Sequence, residues 1–313
     1  METTSFSHDV FCTDKALALK EPLAGTAPHA KMFVFISWPK AQWGYDALDT
    51  PAIPEKLAPW LEAQEKRLQG KVQLRLISQS RTSPEQHTVM IFPDSRQYRN
   101  VPRDSLMEVL ENHVGGTPLK EFPPAPVDNL QIFVCTHGRH DKCCARYGQK
   151  IYQSLRNEIA HPDIDVWESS HLGGHRFAAT AMVFPQADVY GWLTGENVST
   201  WVTMLLQNRV YGPAYRGNAW LNDISQIADA YARQFCYEQG FDARPVLRQT
   251  RMENENLICD IELTSPTTNP VKSLTLSLIR KTFESPISCD NPPELRNRWI
   301  LQLVETHDSV ASE

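Results

Sequence analysis

VMIFPDSRQY at residues 89–98 and AMVFPQADVY at residues 181–190 carry the same four side chains at the same four places. Met90, Phe92, Pro93 and Tyr98 correspond to Met182, Phe184, Pro185 and Tyr190. Each stretch reads as strand, turn, strand, and any two such hairpins look somewhat alike, so the flanking elements decide what the likeness means. Around the first lie a strand at 31–37 (KMFVFIS), a helix from about Pro54 to Leu68 and a strand at 73–78 (QLRLIS). Its hairpin strands, at 88–93 and ending near Val101, lead to a helix at 103–114 that stops at Gly115-Gly116. Around the second lie a strand LQIFVC (130–135), a helix CARYGQKIYQSLRNEIA (144–160) and a strand DIDVWESS (163–170). The hairpin of ATAMVFP and DVYGWLT then leads to a helix, NVSTWVTMLLQNRV.

The order β-α-β-β-β-α therefore occurs twice, which points to an internal duplication. A β-α-β unit followed by a hairpin and a helix is the order of the thioredoxin core. The predicted class is α/β: two tandem thioredoxin-like domains plus a small C-terminal α+β appendage. The expected domains are residues 1–122, without ligands, and 128–220, with the proline-rich EFPPAPVDN (121–129) as linker. Residues 221–313 form the appendage. They hold a helix at Asp223–Gln239 and the alternating strands RPVLRQT, LICDIELTS and VKSLTLSLIRK, with no catalytic motif.

Composition narrows the function classes. The 313 residues are 41% hydrophobic and 22% charged with a net charge of −6, so there is no basic surplus to neutralise phosphates and nucleic acid is not an expected partner. METTSFSHDVFCTDKALALKEPLAG lacks the charged and apolar regions of a signal peptide, and no run of about 18 apolar residues could span a bilayer. The expected location is cytoplasmic, with no membrane partner. In such a reducing compartment the seven cysteines read as thiols or metal ligands rather than a disulfide framework.

The two copies differ in their loops. After its first strand the first copy has SWPKAQWG where the second has CTHGRHDKCCARYG; after its second strand SQSRTSPEQHT stands against SSHLGGHRFAA. Both loops can emerge at one edge of the sheet, so Cys135, Cys143, Cys144, His171 and His175 can converge. Two thiolates and two imidazoles suit tetrahedral zinc, and equally a 2Fe-2S cluster in which histidines replace two thiolates. The eight residues between Cys135 and Cys144 exceed the usual zinc-finger spacing and leave room for a loop to arch over two irons. Gly173-Gly174 favours a turn that brings backbone close to the site.

CTHGRHDKCC (135–144) and HLGGHRFAA (171–179), with EPLAGTA (21–27) and YRG (215–217), resemble the sucrase/ferredoxin-like family of thioredoxin-like ferredoxins. The resemblance covers roughly the first 220 residues. It implies a 2Fe-2S cluster whose ligands, carried over residue by residue, are Cys135, Cys144, His171 and His175. Cys143 is an extra thiol beside the matched position and leaves the second thiolate ambiguous by one residue.

The remaining candidates have plainer readings. Cys12, Cys236, Cys259 and Cys289 read as small buried hydrophobes. His137 and His140 read as loop residues that face solvent or support the ligands. Arg139, Asp141, Lys142, Arg146 and Arg176 form a charged rim, equally a solvated loop or a means of tuning the site. Tyr215, Arg216 and Gly217 read as a turn. No pair of carboxylates is placed for sugar hydrolysis. No GxGxxG follows a strand, so no flavin or nicotinamide site is expected and electrons would come from a redox partner protein. The expected function is one-electron transfer coupled to a proton, by an electron-transfer protein rather than a stand-alone enzyme. The alternatives are a thioredoxin-type thiol/disulfide oxidoreductase using Cys143 or Cys144, disfavoured by the lack of C-x-x-C, and a zinc-stabilised scaffold.

Overall fold

The computed structural model describes residues 11–117, 119–264 and 272–308. The first half of the chain forms α1 (Cys12–Ala18), β1 (Met32–Ser37), α2 (Leu57–Leu68), β2 (Val72–Ser78), β3 (Gln86–Phe92), β4 (Arg96–Pro102) and α3 (Leu106–Gly115). Next come β5 (Ala125–Pro126), β6 (Leu130–Cys135), α4 (Gln149–Asn157), β7 (Ile164–Ser169), β8 (Ala181–Phe184), β9 (Asp188–Tyr190), α5 (Val198–Leu206) and β10 (Tyr215–Asn218). The chain continues with α6 (Asp223–Glu238), β11 (Arg244–Glu253), β12 (Asn256–Thr264), β13 (Lys272–Ser285) and β14 (Glu294–Asp308). It divides into two compact units.

One unit, Pro28–Gly173 with Ala179–Ala187, is a mixed sheet with helices, in the strand order β8-β6-β7-β2-β1-β3-β4-β5. β1 runs parallel to β2 and antiparallel to β3, with Phe35 opposite Met90. β6 runs parallel to β7 and antiparallel to β8, with Phe133 opposite Met182. The matching hairpin residues thus hold matching registers. The triplets β3-β1-β2 and β8-β6-β7 meet at an antiparallel junction of two residue pairs, Ile77 with Ser169 and Ser78 with Glu168.

Alternation along β1 explains why both its faces are buried. Met32, Val34 and Ile36 join Leu57, Trp60 and Leu61 of α2 and Leu106, Val109 and Leu110 of α3 in one apolar core. On the other face Phe35 stacks on Phe133 with centroids 3.8 Å apart, and Phe184 meets Phe35 edge-on at 5.2 Å. In a flat sheet β1 and β6, with two strands between them, would lie about 14 Å apart. The sheet therefore curls until its halves face each other. Each fully buried phenylalanine contributes about 2 kcal/mol from removal of its surface from water.

The other unit comprises Met1–Ala27, Gly174–Ala178 and Asp188–Glu313. β9 pairs antiparallel with β10, and β11-β12-β13-β14 form an antiparallel sheet. Asn222 caps α6 by accepting from the Ser225 N–H at 3.0 Å. Beneath it the Tyr215 hydroxyl donates to Asp229 at 2.7 Å, Arg233 Nε donates to the same carboxylate at 2.9 Å, and Asn218 donates to Asp188 at 2.9 Å.

The fold is α/β as expected, with the expected element order, and it departs from the sequence reading in five places, one being that the expected turn at Tyr215–Gly217 is part of strand β10. The proline-rich linker contributes β5, which pairs with β4 through Gln97 and Ala125. The helix expected from Cys144 begins as a π-type turn, Cys144–Gly148. α1 and β14 were not expected; β14 pairs with β13 along its length, a tertiary contact that its mixed polar and apolar pattern does not announce. The first ten residues, Ser265 and Val271, parts of the leader and strand readings, lie outside the described residues. Among the described residues no helix is long and apolar enough to cross a membrane.

Candidate metal centre

Cys135 ends β6, where its N–H donates to the Thr180 carbonyl at 3.0 Å and the next N–H, of Thr136, donates to Ser169 at 3.1 Å. The chain then leaves the sheet in tight turns: His140 and Asp141 N–H groups both donate to the His137 carbonyl at 3.2 Å, and Cys144 N–H donates to Asp141 at 3.2 Å. The π-type turn that follows presses against the end of β6. A side chain at Gly148 would collide with the Cys135 carbonyl oxygen, so only glycine lets Cys144 come this close.

The turn delivers the Cys144 sulfur to Cys135 and to His171, which follows β7. His171 Nδ1 lies 3.8 Å from Cys144 Sγ and 4.0 Å from Cys135 Sγ, and the three donor atoms lie within 4.8 Å of one another. Both cysteines are buried and His171 is half-buried. Cys143 is also buried, but it is Cys144 that joins Cys135 and His171; the Cys143 N–H donates to Asp141 Oδ1 at 2.8 Å. Burial pushes the Cys135 thiol up, yet the Cys144 thiol and the His171 ring hold it well below its ordinary value. The hydrogen bond to Cys135 and burial push Cys144 well above its own. The opposite shifts favour the two sulfurs sharing one proton, which a metal held by both would displace.

The loop of the first strand triplet props this site. His137 Nε2 donates to the Gly44 carbonyl at 2.8 Å while its Nδ1 accepts from the His171 N–H at 3.2 Å. Burial holds that imidazole below its ordinary range, consistent with a neutral ring that donates on one side and accepts on the other. Arg139 donates to the Trp43 carbonyl at 2.7 Å, and the His140 ring stacks on His171 at 3.7 Å. Thr136 donates to Glu168 at 2.8 Å, and Glu168 pairs with Lys40. Burial brings the Arg75 guanidinium down to about 10, against the pull of the Cys135 and Asp46 charges. It remains a cation within electrostatic reach of Cys135.

His175 stands in the other unit. Its Nε2 donates to the Ile287 carbonyl. The stretches EPLAGTA and YRG frame it. Glu21 pairs with Arg176 at 3.0 Å and with Arg298 at 3.0 Å. Arg216, buried, donates through Nε to Thr26 Oγ1 at 3.1 Å and to the Thr26 carbonyl, and its own carbonyl accepts from Gly25 N–H at 2.9 Å. Gly174, at φ +76°, leaves room for that guanidinium; a side chain there would strike it. Of the four residues that the family pattern assigns, the structure brings Cys135, Cys144 and His171 together within one unit, and His175 belongs to the other. Sequence reasoning missed Arg75, Lys40 and Glu168, which carry no motif, and gave no role to Glu21, whose only signal was its place in a family stretch.

The sucrase/ferredoxin-like family matches residues 23–217, more than half of the chain, and the chain belongs to that family. A relative named "Altered inheritance of mitochondria protein 32", from Clavispora lusitaniae, is 28% identical over 102 residues, which are 31% of this chain and 37% of that protein. The match therefore spans little more than a third of the relative's length. No solved structure matches the chain.

Proposed function

We propose that this member of the sucrase/ferredoxin-like family is an iron–sulfur redox protein that transfers single electrons through a 2Fe-2S cluster held by Cys135, Cys144, His171 and His175. The observation that carries the reading is the meeting of two cysteine sulfurs, at the ends of an eight-residue loop, with His171 Nδ1. The donor set fits: soft thiolates with borderline imidazoles. When bound, such a cluster supplies one-electron chemistry, at a higher potential than its all-cysteine counterpart because neutral imidazoles replace two thiolates. The chain's own residues do the rest. Arg75 offsets negative charge at Cys135, His137 fixes the backbone of His171, and a histidine ligand whose outer nitrogen exchanges a proton with water couples the electron to pH. Electrons would come from and pass to a redox partner protein. The two strand triplets support reading the fold as two thioredoxin-like repeats, the first without ligands. Seven cysteines without a disulfide suit a reducing compartment such as the cytoplasm.

One observation favours a second reading. Around a single tetrahedral zinc, sulfur and nitrogen donors lie about 3.6 Å apart, close to the 3.8 and 4.0 Å seen here. Visible absorption and reduced-state EPR of anaerobically purified protein, with iron, sulfide and zinc measured on the same sample, decide between them. Two irons and two sulfides per chain with a rhombic signal are expected. Colourless protein with one zinc and no sulfide would replace electron transfer with a structural metal site. For the cluster, the reduction potential should fall by about 59 mV per pH unit where one proton follows one electron; a potential independent of pH would rule out proton coupling.

A further inference from the structure

Cys12 and Cys289 stand apart from the cysteines that only fill core space. Their sulfurs are 3.7 Å apart although 277 residues separate them in sequence. Cys12 opens α1, and Cys289 lies on the segment between β13 and β14. Each is beside a contact that grips the turn at 174–178. Thr13, next to Cys12, donates from Oγ1 to the Ala178 carbonyl at 2.9 Å. Ile287, two residues before Cys289, accepts from His175 Nε2. Between these two contacts the turn is held further by the Glu21–Arg176 pair. A covalent bond between the sulfurs would tie the two grips to each other.

We propose that Cys12 and Cys289 form a reversible disulfide latch that clamps the His175–Phe177 turn. The sulfurs need to approach by less than 2 Å to reach bonding distance, about 2.05 Å. Exposure assigns the order of events: Cys12 is 1% exposed, whereas Cys289 is partly accessible. The Cys289 thiolate attacks a small-molecule disulfide such as oxidised glutathione, forming a mixed disulfide and releasing one thiol. The Cys12 thiolate then attacks the Cys289 sulfur and expels the second thiol. Two protein thiols are oxidised to one disulfide, and one external disulfide is reduced to two thiols. The bond forms without a metal; its bearing on electron transfer rests on the proposed ligation by His175.

The test equilibrates the full chain in glutathione buffers from reducing to oxidising, alkylates remaining thiols, and maps peptides by mass spectrometry. The expected result is a Cys12–Cys289 linked peptide in the wild type, glutathione trapped on Cys289 in Cys12→Ser, and no adduct on Cys12 in Cys289→Ser. Hydrogen exchange across residues 174–178 should slow at least roughly threefold on oxidation of the wild type and of neither variant. The linked peptide needs no variant to fold, so the wild type alone can refute the latch. Cys12 and Cys289 remaining alkylated under oxidising conditions would overturn it, as would linkage of Cys289 to another cysteine, or linkage without slower exchange. Iron and sulfide measured on the same samples separate the two ideas: a latch that forms in protein without a cluster leaves the latch standing and the ligation fallen.

Discussion

Ser37 and Cys135 end equivalent strands, for Phe35 faces Met90 as Phe133 faces Met182, yet the two strand ends do opposite things. In the first triplet Ser37 Oγ accepts from the Thr88 N–H at 2.6 Å, and His87 Nδ1 donates to the Ser37 carbonyl at 2.6 Å. Trp38 stacks on His87 at 4.4 Å, and burial holds that imidazole below its ordinary range. The space is filled by neutral rings. In the second triplet the same place holds two cysteine sulfurs and an imidazole. The first loop is not idle: Trp43 and Gly44 supply the carbonyls that Arg139 and His137 engage. Within one topology, one strand end packs shut and buttresses while the other gathers donors that could hold a metal.

The largest effect should come from exchanging the two strand ends. Cys135→Ser and Cys144→Ser should each lower metal affinity by more than about 100-fold, since loss of a ligand exceeds loss of a supporting partner. Ser37→Cys should bind nothing new, because Trp38 and His87 occupy the space and no second thiol faces it among the described residues. Metal content by elemental analysis measures both; a bound metal in Ser37→Cys would show the halves to be closer in capacity than their packing implies.

Next in size is Glu21→Gln, which tests whether the frame around His175 is as rigid as the props around His171. Glu21 has a fully buried side chain between Arg176 and Arg298, and removing its charge strands two cations. The expected loss is about 3 kcal/mol by urea denaturation at neutral pH. Burial raises the Glu21 carboxyl, but the two arginines more than offset this and hold it below its ordinary value of 4.5. A carboxyl lowered on folding stabilises above the unfolded pKa, and its contribution fades as pH falls through the folded one. Wild type should therefore lose stability below about pH 4.5 more steeply than Glu21→Gln. Parallel acid limbs would mean that Glu21 does not carry the effect.

Much of this is legible in the order of the residues alone. Matched residues in two hairpins locate the strands, and the spacing of CTHGRHDKCC and HLGGH picks out the residues that gather around His171. The features that stay hidden depend on contacts distant along the chain. β14 is a strand because β13 pairs with it, and Leu295, 77% exposed, blurs its pattern. β5 exists because β4 offers an edge to a proline-rich stretch. His137 reads as a loop histidine until Gly44, 93 residues away, accepts its proton. Glu21 looks like any surface carboxylate until residues 155 and 277 positions away close on it. Candidate ligands announce themselves by local spacing; their supports do not.

A smaller effect separates prop from donor. His137→Ala removes the acceptor for the His171 N–H and the donor to Gly44, which should cost about 2 kcal/mol and weaken metal binding about tenfold. His87→Ala, at the packed end, should cost a similar amount of stability through the cavity beside Trp38 and leave metal affinity unchanged. Thermal denaturation with parallel metal titration distinguishes them. Equal losses of affinity would mean that the two strand ends act as one body.

The smallest expected effect lies where the first loop reaches furthest across. Lys40 pairs with Glu168 and donates to Gln149 at 2.8 Å, joining the packed end to the strand and helix of the donor end. The side chain of Lys40 is 35% exposed, so water and salt screen the pair. Glu168 keeps the Thr136 hydroxyl at 2.8 Å when the ammonium is removed. Lys40→Met should accordingly cost no more than about 1 kcal/mol, with the difference shrinking as salt rises, and leave metal affinity within about twofold. A loss of metal on this substitution would place Glu168 among the residues that set the charge of the site, and would make the buttressing loop a participant in binding through its cation as well as through its carbonyls.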